Sequence, residues 1–372
     1  MKIIIAPDSF KGSLSAAEAA DCIERGIKKI IDCETVKIPM ADGGEGTVDA
    51  MAESLGGALV STKVKGPLFD EVNATYLVAG NVAVIEMSAA SGITLIPRDR
   101  LDPMRASTFG TGELILDAIK RGCDKIILGI GGSATNDGGA GMAAALGVRF
   151  LDVNGEAVCP CGGELGKIAT IDLSGQIPEI KNTEFFVACD VNNPICGESG
   201  ASYVFGPQKG ADTKTVRLLD ANLSHFADKI KEQLGIEVRS LQGGGAAGGL
   251  GAGLYAFCGA KLRRGVDIIC DAVGLADKIK GADLIITGEG CTDYQTAFGK
   301  LPSGVASLAK SAGIPCLLIS GAINGDISQL YSKGVVAAYA TVTDDVPLAE
   351  AIKNAAQNLE RTAENAIREW IK

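Results

Sequence analysis

Lys2-Ile3-Ile4-Ile5-Ala6-Pro7-Asp8-Ser9-Phe10-Lys11-Gly12 sets a pattern that the rest of the chain repeats. An apolar, β-branched run suits a strand buried on both faces of a parallel sheet, and here it stops at a Pro/Asp/Ser loop. Beyond the loop, Ser15 with Glu18 three residues later forms a capping box, and Ala19, Cys22, Ile23, Ile27 and Ile30 share one helical face. The same strand–loop–helix unit returns at residues 36–39 before Ala41-Asp42-Gly43-Gly44, and at 125–130 before Gly131-Gly132-Ser133. It returns again at 283–287 before Gly288-Glu289-Gly290, at 316–320 before Gly321, and at 335–342. Such repetition predicts a doubly wound α/β fold.

Two stretches break the rhythm. Residues 58–88 read as consecutive strands around Gly66-Pro67 and Gly80-Asn81 turns, and 148–207 adds strand-like runs at 148–153, 185–188 and 203–205. The expected architecture is α/β in two domains. A Rossmann-like doubly wound parallel sheet takes 1–57, 105–147 and 208–372, and a strand-rich α/β domain formed by 58–104 and 148–207 is inserted into it. The active site is expected in the cleft between them. At the C-terminus Leu348, Ile352, Ala356, Leu359, Ala363, Ile367 and Trp370 keep a helical period, predicting one long helix that docks on the domain.

The chain of 372 residues carries a net charge of −10 with no long basic run, which speaks against a nucleic-acid partner. Apolar stretches fall short of the roughly 20 residues a membrane helix needs. Eleven cysteines without a CxxC pair, and no signal-peptide pattern after Met1, point to a reduced, cytoplasmic enzyme, monomer or homodimer. Cys159-Pro160-Cys161 reads as a turn. The single histidine, His225, lies in a surface-helix pattern at 220–231, so a Ser-His-Asp triad is not expected and a general base must be a carboxylate or lysine. Glycine is in excess, 49 of 372 residues against an average of about 7%.

Ligands of open parallel sheets bind outside the carboxyl ends of the strands. Those ends carry Asp8, Asp42, Glu45, Ser133, Thr135, Asn136, Asp137, Glu289 and Asp293. Gly129-Ile130-Gly131-Gly132-Ser133-Ala134 satisfies a loose GxGxxA, which keeps an NAD(P)-dependent hydroxy-acid oxidoreductase open; no P-loop motif occurs. The tract 243–249 reads either as a hinge or as a loop approaching phosphate. A non-catalytic sensor of an acidic metabolite or nucleotide also explains the glycine loops, but not the many carboxylates at a site for anions.

The stretches 7–12, 41–47, 131–139, 190–194, 205–210, 243–253 and 288–300 together resemble the type I glycerate kinases, in family order along essentially the whole chain. The resemblance implies ATP- and Mg²⁺-dependent phosphorylation of D-glycerate. One departure is visible, Cys291 where the family usually carries Arg. Phosphoryl transfer itself needs cations, Mg²⁺ and a carboxylate that accepts the hydroxyl proton. The expected catalytic residues are Asp190 as base, with Asp42 and Asp8 as rivals, and Lys11. Glycerate is expected at Asp8, Ser9, Lys11, Arg105, Gly43, Gly44 and Glu45, with Lys209 a further source of countercharge. The nucleotide is expected at Gly131, Gly132, Ser133, Thr135, Asn136, Asp137, Gly288, Glu289, Gly290 and Lys300, and the metal at Asp293 and Glu289.

Overall fold

The computed structural model describes residues 1–41, 46–342 and 346–372. Its strands are β1 (Lys2–Ile5), β2 (Glu34–Lys37), β3 (Ala58–Lys65), β4 (Glu71–Ala79), β5 (Val82–Glu86), β6 (Lys125–Gly129), β7 (Arg149–Leu151), β8 (Thr170–Asp172), β9 (Glu184–Ala188), β10 (Lys261–Arg263), β11 (Leu284–Thr287), β12 (Cys291–Thr292), β13 (Cys316–Ser320), β14 (Ala322–Ile323) and β15 (Val335–Ala340). Among the described residues no helix is long and apolar enough to cross a membrane. None of the cysteines is disulfide-bonded.

The chain divides into two compact units, one formed by Met1–Asp42, Asp49–Gly56 and Val266–Lys372, the other by Gly43–Val48 and Gly57–Gly265. The first unit holds a five-stranded sheet, all parallel, in the order β15-β13-β11-β1-β2. Counting only the strands of this sheet, the order is 2-1-3-4-5, one of the two common doubly wound orders. Ile3, Ile5, Leu284, Ile286, Leu317 and Ile319 pack in one core with the helices Ala16–Lys28 and Ala355–Trp370. Their neighbours Ile4, Ile285 and Leu318 are equally inaccessible, so both faces of the sheet are covered. The capping box forms as the spacing predicts, with Ser15 Oγ accepting from the Glu18 amide and Glu18 Oε2 from the Ser15 amide.

The second unit carries a mixed six-stranded sheet in the order β10-β9-β6-β5-β4-β3. The turns expected at 66–67 and 80–81 join the antiparallel pairs β3–β4 and β4–β5. The remaining neighbours are parallel. Here the expected domain boundaries are corrected. β6 pairs with β5 on one side and β9 on the other, which places 105–147 in the second unit. Residues 208–265 follow, because the helices Thr213–Leu234 and Ala246–Cys258 pack on the same core through Phe226, Leu250 and Phe257. Phe150, Phe226 and Phe257 meet there with ring centroids 5.6 to 6.2 Å apart.

Three local expectations are also corrected. Residues 203–205 belong to the helix Ala201–Phe205, not a strand, with Ala201 and Ser202 turned inward. The C-terminal helix is two, Leu348–Lys353 and Ala355–Trp370, broken at Asn354; only the second packs on the core, through Leu359, Ala363 and Ile367. The tract at 243–249 lies within the second unit and does not join the two units, which corrects the hinge reading. It is buried, and its backbone lies directly on that of the loop 135–139. Gly248 has a φ of +68°, and a Cβ there would stand 2.0 Å from the carbonyl oxygen of Thr135. A side chain at this position would push the two backbones apart.

Candidate functional site

In a 2-1-3-4-5 sheet the direction of winding reverses between the first strand and its third-strand neighbour, and ligands collect at the carboxyl ends of that pair. The pair here is β1 and β11. Their ladder continues into the loops, where the Ala6 amide donates to the Ile286 carbonyl and the Asp8 amide to the Gly288 carbonyl, each at 2.8 Å. Phe10 drops into the core beneath the first loop, leaving Lys11 exposed beside it. The second loop lies flat against the first. A Cβ on Gly290 would come within 3.2 Å of the Lys11 amide nitrogen, and one on Gly288 within 1.9 Å of the Ile319 carbonyl oxygen. Bare backbone is required here for contact between loops.

A cavity of about 400 Å³ opens over these loops. Asp8, Ser9, Lys11, Ser13, Glu289, Cys291, Asp293 and Lys300 supply its polar groups. Glu289 is buried, which raises its pKa; the hydroxyls of Thr296 and Thr292 and the charge of Lys300 act against that shift. Its Oε1 accepts from Thr296 Oγ1 (2.7 Å) and Thr292 Oγ1 (2.9 Å), and its Oε2 lies 3.9 Å from Lys300 Nζ. Asp293 Oδ1 caps the short helical turn Tyr294–Phe298 by accepting from the Gln295 and Thr296 amides, and Lys300 Nζ stands 3.6 Å away. One lysine thus faces two carboxylates that local hydrogen bonds hold in place. The expected set Asp8, Ser9, Lys11, Gly288, Glu289, Gly290, Asp293 and Lys300 is gathered in this one place. Cys291, accepting from Asn324 Nδ2 at 3.3 Å, lines the same cavity.

The rest of the expected set is not among these lining residues. Asp42, Gly43, Gly44 and Glu45 fall outside the described residues. Gly131 and Gly132 follow β6 in the second unit and are exposed. Ser133, Thr135, Asn136 and Asp137 are buried in the second unit. Asp137 accepts from the Thr108 amide (2.7 Å), Thr108 Oγ1 (2.8 Å) and the Gly139 and Gly141 amides (3.1 and 3.2 Å). Burial still raises its pKa against those bonds. Asn136 Nδ2 donates to Ser202 Oγ. The next helix starts only at Ala140, after Gly139, so the glycine turn does not open a helix as a dinucleotide site requires.

Lys209 was legible as a cation but not as a buried one. It is 1% exposed, and Nζ donates to Ser133 Oγ (2.8 Å) and the Thr135 carbonyl (2.7 Å). Burial pushes its pKa down to about 7, partly offset by the charge of Asp137. It braces the 133–137 loop from inside. His225 is structural too, its Nε2 2.7 Å from the Ile168 carbonyl oxygen. Asp190 and Arg105 are exposed in the second unit, and Asp190 Oδ1 accepts from the Gly265 amide at 3.1 Å. The cavity also has an apolar side that sequence reasoning missed, formed by Val342, Leu348, Ala351, Ile352 and Ala355. Its signal was the i, i+4 pair Leu348 and Ile352, read as packing.

A model of the glycerate kinase family matches residues 3–371. A protein from Halalkalibacterium halodurans named glycerate kinase is 48% identical over 375 residues, covering 100% of this chain and 99% of its own. Glycerate 2-kinase of Escherichia coli is 47% identical over 368 residues, 98% of this chain and 97% of its own. The crystal structure of a proposed glycerate kinase 2 from Salmonella typhimurium LT2 superposes with a TM-score of 0.92 at 47% identity, covering 100% of this chain and 98% of that one. With the family pattern running through both units and full-length relatives at nearly half identity, the chain belongs to the glycerate kinase family.

Proposed function

We propose that the chain transfers the terminal phosphoryl group of ATP to a hydroxyl of D-glycerate. The observation that carries this reading is the cavity over β1 and β11, where Lys300 stands beside Glu289 and Asp293 and Lys11 lines the same space, on loops of bare backbone. Phosphoryl transfer asks the protein mainly for positioning and for cations against the charge on the transferred group. Lys11 and Lys300 supply those cations in a chain whose net charge is −10. Neither a passive sensor nor a hydroxy-acid oxidoreductase gives these two carboxylates a task.

The donor set suits Mg²⁺ delivered with the nucleotide. Among the described residues no group of three or more His, Cys, Asp or Glu forms a protein-only cage. Mg²⁺ is commonly bound by one or two carboxylates together with substrate phosphates. Glu289 and Asp293 would hold it, and when bound it would neutralise charge on the transferred phosphoryl. The two threonine hydroxyls on Glu289 Oε1 fix that carboxylate in orientation, and its second oxygen is the one turned toward Lys300. Asp190 accepts the proton of the attacking hydroxyl, and Ser9 and Arg105 contribute to holding the hydroxy acid.

Purified protein is expected to release ADP from Mg-ATP only when glycerate is present; no glycerate-dependent release would refute the reading. Lys11→Ala is expected to lower kcat/KM about 10- to 100-fold with an unchanged melting temperature, since an exposed lysine on a loop contributes little to folding. Steady-state kinetics with melting curves decides it, and unchanged kinetics would make Lys11 a solvated side chain only.

A further inference from the structure

The helix Leu348–Lys353 buries none of its residues. Leu348 is 76% exposed and Ile352 39% exposed, although both are large aliphatics. They stand one turn apart on the same helix face, and both line the cavity over β1 and β11 together with Val342, Ala351 and Ala355. An apolar strip with two exposed large side chains, beside charged groups in one cavity, is placed for a ligand with one apolar, flat part and one charged part. The same cavity is also lined by two cations, Lys11 and Lys300. Resting on the reading of the cavity as an ATP site, we infer that the strip formed by Val342, Leu348, Ala351, Ile352 and Ala355 is the seat of the nucleobase.

Among the described residues, the hydroxyl and amides beside this strip are already committed. Thr341 Oγ1 donates to the Gly321 carbonyl at 3.0 Å, the Thr341 amide to Ser320 at 2.8 Å and the Val342 amide to Gly321 at 3.3 Å. None of the five side chains of the strip has a donor or acceptor to read the edge of a base. The strip itself therefore recognises a purine by burial and shape, and its side chains supply none of the buried polar groups on which strong discrimination rests. The seat accepts adenine and guanine with little preference.

The test is calorimetric and kinetic. Mg-ADP and inorganic tripolyphosphate are titrated into wild type, Ile352→Asp and Leu348→Asp. Both positions are exposed, so the variants are expected to fold, which circular dichroism checks; Ala355→Trp, which fills the seat with bulk instead of charge, gives a second route. The expected result is at least tenfold weaker Mg-ADP binding in each variant, with tripolyphosphate binding within twofold of wild type. kcat/KM for ATP and GTP should agree within about tenfold in wild type. Unchanged Mg-ADP affinity in folded variants, or a preference for ATP over GTP beyond a thousandfold, would overturn the inference. If wild type instead binds Mg-ADP through the strip but shows no glycerate-dependent turnover, the proposed reaction falls and the seat stands.

Discussion

Asp190→Asn is expected to lower kcat for glycerate phosphorylation by roughly 10²–10⁴-fold, the usual consequence of losing a general base. The substitution is chosen for what it keeps. In the parent, Asp190 Oδ1 accepts from the Gly265 amide at 3.1 Å, and the amide oxygen of asparagine can accept the same bond. The turn after β9 should therefore hold, the melting temperature should stay within a degree or two, and KM for ATP should not move. What disappears is the capacity to take a proton. Asp8→Asn is the comparison, since that carboxylate lies in the cavity of the first unit with its Oδ1 2.6 Å from the Ser9 amide. A kcat for Asp190→Asn within tenfold of the parent, alongside a larger loss for Asp8→Asn, would move the role to Asp8.

Lys209→Met is expected to cost about 3 kcal/mol of stability. It strands two buried acceptors, Ser133 Oγ and the Thr135 carbonyl, at about 1–3 kcal/mol each, while relieving part of the cost of burying an amine. The pH dependence carries a definite sign. Unfolded, the lysine titrates at its ordinary 10.5; folded, at about 7. Between those values the unfolded chain holds a proton that the folded chain does not, so this group makes stability rise with pH across roughly 7 to 10.5. Asp137 works in the opposite sense at lower pH, because its raised pKa stabilises the folded state when protonated and that contribution is lost as pH rises through the folded value. Denaturant unfolding of parent and variant at pH 7, 8 and 9 should show the deficit widening with pH. A constant deficit would mean that Lys209 is charged in the folded protein throughout.

Local chemistry was legible in the sequence and long-range pairing was not. The capping box at Ser15 and Glu18, the turn at 80–81 and the alternation of buried runs with glycine loops each depend on residues a few positions apart, and each appears in the structure. Which sheet a buried strand joins depends on partners far along the chain. β6 carries the same apolar signature as β1, yet its partners β5 and β9 assign it to the other unit. Glycine misled for a related reason. The loops at 288–290 and 243–249 both pack against neighbouring backbone, but the first also borders the cavity over β1 and β11, while the second is buried. Composition records that bare backbone is needed, not what approaches it. Lys209 shows the same limit for charge, since no local pattern separates a solvated lysine from one that is 1% exposed.

The interruption of the first unit by the second has a consequence for how the protein is made. β1 leaves the ribosome first, but its neighbour β11 lies about 280 residues downstream, with Ile3 paired to Leu284. At roughly 5–20 residues per second, synthesis leaves the most apolar strand of the N-terminus without that partner for about 15–60 s. Residues 57–265, by contrast, form one continuous stretch that can close its own sheet during that interval. The nascent chain is therefore most vulnerable to aggregation at its oldest end, and slowed translation between residues 57 and 265 should increase its dependence on chaperones that shield Lys2–Ile5 until the C-terminal third emerges.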